Sequence, residues 1–78
     1  MKLLSENDYR HLKNALIKGE RITLERSFRG VYWIYVSTIP ASSAWQPATM
    51  IIQLREEYGN VVALQNFANI EELKGALK

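Results

Sequence analysis

The chain has no cysteine and one histidine, His11, which closes both the disulfide route and the usual zinc route to holding a small domain together. Good packing or a second subunit must do that work. Long apolar runs are also missing. The longest, Val31-Tyr32-Trp33-Ile34-Tyr35-Val36, falls far short of the roughly 20 residues a membrane-crossing helix needs, and no apolar stretch follows Met1-Lys2-Leu3-Leu4. The expectation is a cytoplasmic protein with no signal peptide and no membrane contact.

Catalytic and ligand-binding patterns are scarce too. The glycines at 19, 30, 59 and 75 stand singly, so no phosphate-cradling loop can be built from them. His11 precedes Leu12 on a charge-rich helical segment, with no Ser or Cys nucleophile at a telling spacing. Of the paired carboxylates, Glu56 and Glu57 point to opposite faces of a strand, and Glu71 and Glu72 suit the first turn of a helix. Neither pair makes an acid/base dyad. No enzyme, cofactor or metal is expected.

At 78 residues there is room for one small domain and one modest core. Net charge is +2 and uneven: up to Ile39 there are seven Lys/Arg against four Asp/Glu, and beyond it three against four. That asymmetry is weak steering at most, well below the basic balance that phosphate binding leaves.

What is present is clear periodicity. Ser5 with Asp8 reads as an N-cap and its acidic partner, Leu4 with Tyr9 as a hydrophobic staple, and Tyr9, Leu12, Ala15 and Leu16 as a helical stripe that Gly19 stops. From Arg21 the period becomes two, with Ile22, Leu24 and Phe28 on one side and Arg26 as a charged anomaly among them. A two-residue Arg29-Gly30 hairpin is expected next, pairing Phe28 with Val31 and Arg26 with Trp33, so that Arg26 lies across the indole.

The run Val31–Val36 is apolar or aromatic at every position, so both faces of that strand need cover. Pro40 to Pro47 is a loop with Trp45 inside it, either a lid on the core edge or an interface anchor. Strand signals resume at Met50, Ile52 and Leu54, turn at Gly59-Asn60 and return through Val61–Phe67. Asn69 with Glu72 caps a last helix with the stripe Ile70, Leu73 and Leu77. The predicted fold is a single α+β domain of order α-β-β-β-β-α, a four-stranded antiparallel sheet with two terminal helices.

One helix on each face would cover the sheet completely. Otherwise Tyr32, Ile34 and Val36, continued by Ile51, Val62 and Leu64, form a surplus apolar face that must dock on a second copy or another protein. The function expected is therefore non-enzymatic protein binding by a small regulator, adaptor or inhibitor of the kind phages and mobile elements encode. Tyr32, Ile34, Val36 and Trp45 would be the anchors, with Arg21, Arg26 and Arg29 orienting an acidic partner. A homodimer would use the same apolar face. The alternative is nucleic-acid binding, in which those three arginines track phosphates beside Tyr32, Trp33 and Tyr35.

Overall fold

The computed structural model describes residues 4–28, 32–56 and 58–77. Its elements are α1 (Glu6–Lys18), β1 (Thr23–Phe28), β2 (Tyr32–Ile39), β3 (Thr49–Glu56), β4 (Val61–Phe67) and α2 (Ile70–Ala76). The order is the one the periodicity predicts. The four strands form one antiparallel sheet in the order β1-β2-β3-β4, so each strand pairs with its neighbour in sequence and β1 and β4 are the edges.

Both helices start and stop where side chains satisfy their free ends. The Ser5 hydroxyl accepts from the Asp8 N–H at 3.1 Å, and Asp8 Oδ2 accepts from the Ser5 N–H at 3.0 Å, closing a capping box on α1. At the other end Gly19 has φ 73°, and its N–H returns to the carbonyls of Ala15 and Leu16. Asn69 Oδ1 accepts from the Glu72 N–H at 2.9 Å to open α2.

With their ends fixed, the two helices lay their stripes on the same face of the sheet. Leu4, Tyr9 and Leu12 meet Ile70 and Leu73 over a floor of Ile34, Val36, Met50 and Phe67, with Leu16, Ile22, Leu24, Ile52, Leu54 and Leu77 packed around them. Among the described residues no helix packs on the opposite face.

This arrangement corrects the expected role of β2. Ile34 and Val36 are buried beneath the helices, so they belong to the core and cannot contact a partner while the domain is folded. The cause is one residue of register. Phe28 pairs with Tyr32, Arg26 with Ile34 and Leu24 with Val36, whereas the expected hairpin would have put Arg26 opposite Trp33. A one-residue slip exchanges the faces of a strand. The register formed places Leu24 beside Val36 in the core, where the expected one would have stranded it on the face away from both helices. The Arg29-Gly30 turn and Val31 lie outside the described residues.

One side chain ties the connection between α1 and β1 to the sheet. Among the described residues Thr38 is the one buried polar residue of the core, fully shielded from solvent. Its hydroxyl donates to the Glu20 carbonyl at 2.8 Å and accepts from the Ile22 N–H at 2.9 Å, while its own N–H donates to the Ile22 carbonyl at 3.0 Å. The segment between α1 and β1 is thereby clasped to β2. Thr38→Val keeps the volume but leaves the Ile22 N–H and Glu20 carbonyl without their partner, at an expected loss of about 2 kcal/mol. Urea midpoints of the two proteins measure it, and an unchanged midpoint would contradict the clasp.

Candidate functional site

The bare face of the sheet takes every residue that alternates with the core. β1 contributes Thr23, Glu25 and Ser27, paired with Ser37, Tyr35 and Trp33 of β2. Those in turn pair with Ile51, Gln53 and Arg55 of β3, and β4 continues the rows with Asn66, Leu64 and Val61. Ile51 and Leu64 therefore lie with Trp33 and Tyr35, on the face opposite Ile34 and Val36. This corrects the expectation that Ile51, Val62 and Leu64 extend the Tyr32 face. Val62 is the extra residue where the β3–β4 register shifts at Leu54/Arg55.

Apolar and cationic groups are interleaved on this face. Trp33 is 40% and Leu64 61% exposed, and Val61 is also open to solvent. The Arg55 guanidinium carbon sits 5.0 Å from the Tyr35 ring centroid, and the same guanidinium donates to Gln53 Oε1 at 3.1 and 2.8 Å. Tyr35 in turn donates its hydroxyl proton to Glu25 Oε1 at 3.4 Å. These contacts hold the Tyr35 ring between Arg55 and Glu25.

At one end of the sheet the β2–β3 loop makes a small turn. The Gln46 N–H donates to the Ser43 carbonyl at 3.3 Å, the Ser42 N–H to the Gln46 carbonyl at 3.2 Å, and the Trp45 N–H to Ser43 Oγ at 3.2 Å. Trp45 at the tip is 90% exposed, so it is not a lid on the core. Beside it runs an open groove of about 610 Å³ lined by Arg21, Ile39, Pro40, Trp45, Gln46 and Pro47.

The arginine cluster comes apart in three dimensions. Arg21 is exposed beside the Trp45 groove. Arg26 points to the helix side and binds Asp8, Nη2 to Oδ1 at 2.5 Å and Nε to Oδ2 at 3.3 Å, instead of lying across Trp33. A charge on the core side is accommodated because an acidic cap residue of α1 stands above it. Arg29 lies outside the described residues. Tyr32 is half-buried at the rim of the core face.

His11 is exposed on α1, and the described residues contain no group of three or more His, Cys, Asp or Glu placed to hold a metal ion. No helix among them is long and apolar enough to cross a membrane.

Trp33, Tyr35 and Arg55 are the residues that sequence reasoning left off the protein-binding surface, whereas Leu64 and Ile51 were on it but grouped with the wrong side of β2. The signal for them was the polar row Thr23, Glu25 and Ser27: whichever β2 residues pair with it must lie on the solvent side. No protein-family model matches the chain, and no curated protein or solved structure matches it either.

Burial raises the Asp8 pKa, but the hydrogen bond and charge of Arg26, together with the Ser5 N–H and hydroxyl, outweigh that and leave it below the ordinary 3.8. A carboxyl depressed in the folded state stabilises it above the unfolded pKa, and that contribution is lost as pH falls through the folded value. Asp8→Asn should cost about 1 kcal/mol at neutral pH, the Arg26 side chain being partly solvated. The gap between wild type and variant should close in acid. Chemical denaturation at neutral pH and below the Asp8 pKa checks this, and a gap independent of pH would refute the assignment.

Proposed function

We propose that the protein is a non-enzymatic interaction module that captures another protein on the bare face of its sheet, with the Trp45 turn as a second anchor. The observation that carries this reading is the packing of both helices on one face, which leaves Trp33, Tyr35, Ile51 and Leu64 on a face that no helix of the described residues covers. Tryptophan, tyrosine and arginine are the side chains that dominate binding energy at protein interfaces, and all three meet here.

Arg55 over Tyr35 and Arg21 beside Trp45 provide positive charge at two points of the surface, which favours a partner carrying carboxylates. The mechanism is steric: the module occupies a surface its partner needs, as a small regulator, adaptor or inhibitor does. Phage and mobile-element products often work in this way. Nucleic-acid binding by Arg21, Arg26 and Arg29 has less support, because Asp8 neutralises Arg26.

The two tryptophans of the chain are Trp33 and Trp45, so indole fluorescence reads both anchors and nothing else. Titrating a captured partner into the protein should move the emission to the blue as the indoles leave water. Trp33→Ser and Trp45→Ala should each weaken capture at least about tenfold, equivalent to losing about 1.4 kcal/mol. Capture should survive nuclease treatment and change little with salt. Loss of capture on nuclease treatment, or a steep salt dependence, would move the function to nucleic acid.

A further inference from the structure

We infer that β4 is the edge through which two copies of this chain join into one continuous antiparallel sheet. The two sheet edges are built differently. β1 carries Glu25 and Arg26, and Arg21 precedes it. β4 reads Val61-Val62-Ala63-Leu64-Gln65-Asn66-Phe67, and from Asn60 to Ile70 the chain has no Asp, Glu, Lys, Arg or Pro. Charges and prolines are what keep an open edge from adding another strand, and β4 lacks both. The bulge at Val62 interrupts one end and leaves Ala63–Phe67 as regular ladder.

The cover over this edge is incomplete as well. α2 is seven residues long, and although it seals Phe67 it leaves residues 61–66 exposed on both faces. On the helix side an apolar groove of about 220 Å³ remains, lined by Ile52, Leu54, Ala63, Phe67, Ala76 and Leu77 among others.

A second β4 is the occupant that fits. Antiparallel pairing about a twofold axis within Ala63–Phe67 sets uncharged residues opposite uncharged residues and brings the two grooves side by side across the axis. A strongly charged foreign strand would find no countercharge on this edge. The chain also has no disulfide, and a domain of this size gains from a second subunit. A five-residue ladder, about 17 Å long, on a molecule 18 Å through is a small interface, so the dimer should be weak and depend on concentration.

Light scattering of the whole protein across a dilution series tests this. The mass should double on concentration. Gln65→Lys and Asn66→Lys, both at exposed positions of β4, should each raise the dissociation constant at least about tenfold, since each sets like charges close together across the axis. Trp33→Ser should leave it unchanged, which separates this edge from the face proposed for the foreign partner. Amide exchange of the wild type gives a second reading: protection that grows with concentration should fall within Ala63–Phe67 and not within Thr23–Phe28. A mass that stays monomeric, a dimer indifferent to both lysines, a dimer dissolved by Trp33→Ser, or protection confined to β1 would each overturn the inference.

Discussion

Two short helices have to cover one sheet, and the rest of the molecule follows from how far they reach. Four strands about 4.8 Å apart make a sheet some 15–19 Å across, and two helices 8–10 Å apart fill that width once. Thirteen residues of α1 and seven of α2 therefore use themselves up on a single face. Met50, Val36, Leu12 and Leu73 lose all contact with water there, while Trp33 and Leu64 across the sheet keep it. The surplus of apolar side chains in β2 is thus divided between a core and a surface, instead of between two cores.

The same economy governs the charges. Arg26 occupies a position whose neighbours face the core, and it is held there because Asp8 serves two partners at once, capping α1 and binding the guanidinium. An arginine that sequence alone would send toward phosphate or an acidic partner becomes a bracket between the first helix and the first strand. Arg55, on the bare face, stays with Tyr35 and Gln53 and remains part of the surface.

Most of the architecture could be read from local chemistry. Ser5 and Asp8, Gly19, and Asn69 with Glu72 mark helix ends through hydrogen bonds made within a few residues, and such signals survive whatever the rest of the chain does. The alternation in β1 and β3 was equally plain. The faces of β2 were not legible, because a strand apolar at every position carries no alternation to say which side is inside. Its orientation is set by its pairing with β1, and that register was misjudged by one residue at the Arg29-Gly30 turn. The candidate surface inherited the error: Ile34 and Val36 were placed outside, and Trp33 and Tyr35 were left off it. The placement of Trp45 was not legible either: a tryptophan in a proline-flanked loop suits a lid on the core edge as well as an exposed anchor, and only the turn closed by Ser42, Ser43 and Gln46 holds it out in solvent.

The order of the strands has a consequence in time. Because β1, β2, β3 and β4 pair only with their sequence neighbours, the sheet can zip together from hairpins that each close a short stretch of chain. The exception is the meeting of the two ends, where Lys74 reaches Glu6 across 68 residues and rests 5.0 Å from the Tyr9 ring centroid. That closure is the costliest in chain entropy and is secured by a helix of only seven residues. The last helix is thus set to be late to dock and early to leave, opening the floor of the core in partial excursions that spare the strands.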